Sequence, residues 1–178
     1  MTTIYNRIDS KAKTNIAQKL LDCFANQFPT VICLGSDRVL SDMVGVMTAD
    51  ILRTYCPREH IFGGKNRPIL QRDIQSILDM TNEQVLFVDS GCLQCGEIAL
   101  CTDKIKFFDK KIYHGVSLVA NTIKVEKGKV MLANCTFQQI ADYAQFLSQS
   151  ILLFKKYSKV LSRNFDAGIL SSRCELVN

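Results

Sequence analysis

The sequence has no apolar run approaching the roughly 18 residues needed to cross a bilayer, so a membrane-spanning helix is not expected. Its opening stretch, M-T-T-I-Y-N-R-I-D-S, lacks the basic start and apolar centre of a secretory leader. No internal repeat and no low-complexity tract is present, which argues against a repeat architecture. Gly63-Gly64-Lys65 is a glycine loop without the surrounding pattern of a P-loop. No nucleic-acid-binding motif stands behind the net charge of +5, and Lys155, Lys156, Lys159 and Arg163 concentrate that charge late in the chain. The expectation is a cytoplasmic protein with no membrane or nucleic-acid partner.

What is present is the composition of a globular domain: 178 residues, 47% hydrophobic and 22% charged. Eight cysteines without an export signal point away from a disulfide framework. Cys23, Cys33 and Cys56 fall in apolar patterns and read as small packed hydrophobes. Residues 1–9 read as a flexible N-terminus, 10–157 as a single α/β domain, and 158–178 as a mobile basic tail.

Periodicity fills in the elements. Ile16, Leu20, Leu21 and Phe24 share one face of a helix over 10–28, with Ser10 as its N-cap. The short apolar run Val31 to Leu34, bounded by Pro29 and Gly35, reads as a buried strand. A helix from about Asp42 to Tyr55 follows, stopped by Pro57. A short strand near His60–Phe62 comes next, then a helix with Pro68 in its first turn and Leu70, Ile74, Ile77 and Leu78 inward. Val85-Leu86-Phe87-Val88 is apolar throughout, the mark of a parallel strand covered on both faces. Shorter strands are predicted at Ile98–Cys101 and Ile105–Phe108, and a longer one over Val116–Val125, with a hairpin turn into Val130–Leu132. Thr136 caps a last helix whose stripe includes Phe137, Ile140, Ala144, Leu147, Ile151 and Phe154. This order implies a three-layer α/β/α domain with a mostly parallel sheet.

Two acidic residues stand where buried strands end, the usual location of sites in open α/β sheets. Asp42 follows the first strand and Asp89 ends the run Val85–Val88. Brought together, two such carboxylates cannot both ionise freely, so the pair supplies an acid and a base. The same oxygens can hold a divalent metal, the one cofactor the residues call for, with His114 as a third ligand. The bland alternative has Asp42 at a helix dipole and Asp89 holding a turn. Asp37 and Arg38 share the first loop, either to bind a substrate carboxylate or as a surface ion pair. Cys92-Leu93-Gln94-Cys95 is a redox pair, half a zinc site completed by Cys101 and His114, or a loop whose cysteines are chosen for size.

At L-G-S-D-R-V-L-S-D-M-V-G-V the chain resembles the sporulation-associated YyaC-type family, whose hallmark is a strand followed by G-T-D-R-S-x-G-D-x-x-G-P. Gly35, Asp37, Arg38, Asp42 and Gly45 match it; Ser36, Ser41 and Val46 replace Thr, Gly and Pro. Val88-Asp89-Ser90-Gly91-Cys92-Leu93 echoes a second block, I-D-A-C-L-G, with a one-residue stagger, and Gly115–Val119 echoes a third. The resemblance spans about Thr30 to Phe154. That family is similar to the spore germination protease and to hydrogenase maturation endopeptidases. The resemblance therefore implies a phosphorylase/hydrolase-like fold, a peptidase-type hydrolase acting on a protein or peptide, and Asp42 and Asp89 as its working acids. In the maturation enzymes a histidine joins two acids on nickel, and His114 is the candidate here. The rival readings are a non-catalytic peptide- or metal-binding protein on the same fold, and a redox or zinc protein built on the C-x-x-C.

Overall fold

The uninterrupted apolar runs become interior strands. In the computed structural model, which describes residues 1–25, 27–57, 60–81, 84–106, 112–126, 129–132 and 135–174, one six-stranded sheet forms the centre. Its strands are β1 (Thr2–Asn6), β2 (Thr30–Cys33), β3 (Ile61–Phe62), β4 (Val85–Gly91), β5 (Glu97–Lys106) and β6 (Ile112–Asn121), in the order β1-β5-β6-β4-β2-β3. Pairings β6–β4, β4–β2 and β2–β3 are parallel, and β1–β5 and β5–β6 antiparallel. A separate two-stranded ribbon pairs β7 (Ile123–Glu126) with β8 (Lys129–Leu132). The sequence expectation of that ribbon holds, although its turn residues Lys127 and Gly128 lie outside the described residues.

Strand alternation decides what each face buries. From β2 and β4, Val31, Cys33, Leu86 and Val88 point to one face. There they meet α1 (Ala12–Phe24), α2 (Met43–Arg53) and α4 (Phe137–Cys174). Ile32, Val85 and Phe87 point to the other face, toward the short α3 (Ile74–Leu78) and its Ile74 and Ile77. The layers are thus unequal. Three helices cover one side, and among the described residues only α3 and its leading turn cover the other.

α1 forms because Ala12, Ile16, Ala17, Leu20, Leu21 and Phe24 all fall on one buried stripe. It ends at Ala25, whose left-handed φ of 47° breaks the helix. Phe24 and Phe28 both pack on Phe154 of α4, with ring centroids 5.9 and 5.8 Å apart, contacts worth about 1 kcal/mol each beyond their burial. At the start of α4, Thr136 and Gln139 cap reciprocally: Gln139 N–H donates to Thr136 Oγ1 (3.2 Å) and Thr136 N–H to Gln139 Oε1 (2.9 Å).

Several expectations are corrected. Residues 1–9 are not wholly loose, because Thr2–Asn6 adds to β5 as an edge strand. Ser10 does not cap α1; Asp9 Oδ1 takes the Lys11 N–H at 2.9 Å instead. Pro68 precedes rather than enters its helix, since Ile69 bridges to Leu34 before the turn begins. The two strands expected after Cys95 are one, with Asp103 at φ 86° absorbing the break between them; Phe107 and Phe108 lie outside the described residues. The long strand expected over Val116–Val125 is split at Thr122 between the sheet and the ribbon. Phe137 is exposed rather than part of the buried stripe. Of the tail expected over 158–178, the described part, 158–174, is helix, and 175–178 lie outside the described residues. α4 runs on to Cys174, because extending an anchored helix costs far less than starting one.

Candidate functional site

The site is built at the carboxyl ends of β2 and β4, where the chain passes from strand to helix. β2 runs into Leu34, whose N–H donates to Val88 O at 2.8 Å, and then Gly35, whose N–H donates to Ile69 O at 2.9 Å. A tight turn over Leu40–Asp42 leads straight into α2. Two glycines make this approach possible. A Cβ on Gly45 would stand 1.8 Å from the Leu34 carbonyl oxygen, and one on Gly35 would stand 2.1 Å from that of Asp42. Gly35 also has a φ of 147°, which side chains disfavour. The first turn of α2 is therefore pressed against the end of β2, and Asp42 is fixed there.

Asp42 makes no capping bond to α2. Its carboxylate instead accepts the Ser90 hydroxyl at 3.1 Å, and the Ser36 N–H also bonds to it. Burial pushes its pKa above the ordinary value, while those two donors pull the other way. Asp89 lies one position before Ser90 on β4, so alternation turns it to the opposite face, alongside Val85 and Phe87. Its Oδ1 accepts the Ser90 N–H at 2.8 Å. Burial lifts its pKa to about 7, and the charge on Asp42 adds to the rise. Asp42 and Asp89 line one cleft of about 370 Å³, walled also by Leu34, Gly35 and the segment Ile69–Arg72.

Two further clefts adjoin it. One, of about 380 Å³, shares Asp89 and Ser90 and extends toward Thr2 of β1, Cys101 of β5, and Ser117 and Val119 of β6. The Ser117 hydroxyl there is buried with no hydrogen-bond partner. The other, of about 420 Å³, shares Leu70 and Arg72 and holds Asp37, Arg38, Lys65 and Asp73. Asp37 and Arg38 are thus placed beside the acid cleft rather than in it. They form no ion pair with each other among the described residues.

His114 does not join the acids. Asp89 pairs with Val119 across the parallel β4–β6 ladder, five residues beyond His114, which puts the imidazole roughly 16 Å back along the strand. It is exposed, and its Nδ1 lies 3.8 Å from Asp103 Oδ1. Cys92 and Cys95 are exposed and free, whereas Cys101 sits on β5, its Sγ accepting the Thr2 hydroxyl at 3.5 Å. No three metal-ligating side chains converge among the described residues, so neither the nickel set implied by the resemblance nor the zinc set is assembled by these residues. Ser90 is the site residue that sequence reasoning missed. Its signal was its place one step after Asp89, which by alternation aims it at α2.

No family model, curated protein or solved structure matches the chain. The site therefore rests on its own geometry. No helix among the described residues is long and apolar enough to cross a membrane.

Proposed function

We propose that the chain is a peptidase-like hydrolase in which Asp42 and Asp89 act as a base and acid pair on an amide. One observation carries this reading: two carboxylates from different elements line a single cleft, electrostatically coupled and with their pKa values raised. Asp42, held by the Ser90 hydroxyl and the Ser36 N–H, is the better placed to stay ionised and take a proton from water. As the water oxygen bonds to the carbonyl carbon, protonated Asp89 gives its proton to the departing amide nitrogen. The C–N bond breaks, leaving a carboxylic acid and an amine, and proton return from Asp42 to Asp89 resets the pair. The resemblance to YyaC-type proteins and to the germination protease supports a sporulation-related, cytoplasmic setting and a protein or peptide substrate.

The test is cleavage of a proteome-derived peptide library read by mass spectrometry. Asp42→Asn and Asp89→Asn should each lower cleavage by about 100-fold or more with the circular dichroism unchanged. Cleavage by either variant at the rate of the unaltered protein, or no cleavage by the unaltered protein, refutes the proposal.

A further inference from the structure

The cleft beside the acids has the opposite charge. Arg38, Lys65 and Arg72 line it against two carboxylates, Asp37 and Asp73. Asp73 is already engaged: its Oδ2 accepts the Leu70 N–H at 2.9 Å, and its Oδ1 lies 3.9 Å from Arg72 Nε. Arg38 and Lys65 have no ionic partner among the described residues. Leu70 and Arg72 belong to both clefts, so the cationic one lies side by side with the acid one.

From this juxtaposition we infer that the chain binds an acidic peptide, seating a side-chain or terminal carboxylate between Arg38, Lys65 and Arg72 so that the neighbouring amide reaches Asp42 and Asp89. The inference rests on the peptidase reading for what happens to that amide, and on the cationic cleft for which peptide arrives. Guanidinium groups suit a planar carboxylate, which they grip with paired hydrogen bonds. A nucleic acid fits less well, because its evenly spaced phosphates would bring a second anion against Asp42 and Asp89. A peptide with one carboxylate beside neutral amides meets attraction first and no repulsion after it.

The test uses fluorescently labelled peptides in pairs, one with glutamate and one with glutamine at the same position, followed by anisotropy. The glutamate peptide should bind about tenfold tighter, with a preference that shrinks in salt. Charge reversal at Arg38→Glu with Lys65→Glu should abolish that preference, while Lys13→Glu on α1 should not. Equal binding of the pair, no binding of the glutamate peptide at millimolar concentration, a preference that survives the double reversal, or tighter binding of a single-stranded oligonucleotide overturns the inference. The peptide pair needs no variant, so misfolding of the reversed protein leaves the result readable. Binding and cleavage measured together on the unaltered protein separate the two readings. Retained glutamate preference without any cleavage in the unaltered protein leaves binding standing and the peptidase reading refuted, and cleavage with no preference does the reverse.

Discussion

Replacing Asp89 by asparagine should stabilise the protein above neutrality and change little in acid. Burial and the Asp42 charge hold the Asp89 carboxyl at about 7, against 3.8 for an ordinary aspartate. Between those values the unfolded chain gives up its proton while the folded one keeps it. Stability is therefore full below pH 4, falls as pH rises toward 7, and is flat above. At 1.36 kcal/mol per pH unit the loss is about 4 kcal/mol. Asparagine carries no charge to desolvate, and its side-chain oxygen still accepts the Ser90 N–H. For a chain of this size about 4 kcal/mol corresponds to a rise in Tm of about 8 to 16 °C near pH 8. The rise should vanish near pH 4. Scanning calorimetry of both proteins across that range measures it. A Tm difference that is the same at every pH, or a loss at the alkaline end, refutes the placement of a half-buried, charge-averse carboxyl at the end of β4.

Ser90→Ala removes the hydroxyl that Asp42 accepts and should cost about 1.5 to 3 kcal/mol at neutral pH, as for hydrogen bonds to charged groups. Because that donor lowers the Asp42 pKa, its loss should also shift the carboxyl upward, which a carbon-13 titration of the aspartate side chains reads directly. Gly45→Ala drives a methyl group into the Leu34 carbonyl and should remove most folded protein, measured as loss of the cooperative thermal transition; a mild effect would mean that α2 is not seated on β2 as described.

The two central strands were legible because Val31–Leu34 and Val85–Val88 carry no polar interruption, and only a strand covered on both faces tolerates that. Thr136 was legible because a capping threonine needs only its own neighbours. β1 was not. Its Thr-Thr-Ile-Tyr is good strand sequence, but nothing local says that its partner lies near residue 100. The acids and the histidine divide the same way. Asp42 follows β2 and Asp89 lies near the end of the parallel β4, so adjacency alone brings them to one edge. His114 lies near the start of β6, which runs parallel to β4, and so belongs toward the opposite edge. Ser90 had alternation as its signal, but using it required knowing that α2 lies on the face away from Asp89, which packing decides.

The pairing of Thr2 with Cys101 also sets an order of events during synthesis. β1 leaves the ribosome about 100 residues before its partner, a wait of about 5 to 20 s at ordinary elongation rates. Through that interval it is an unclaimed sheet edge. α1, β2 and α2 are made long before it can dock. Thr2 is also the outer wall of the cleft that reaches Asp89 from the β5 side. Ser117 and Val119 of β6, which line the same cleft, are made later still, so a nascent chain cannot present the finished groove until β1 has closed over β5 and β6 has paired beside it.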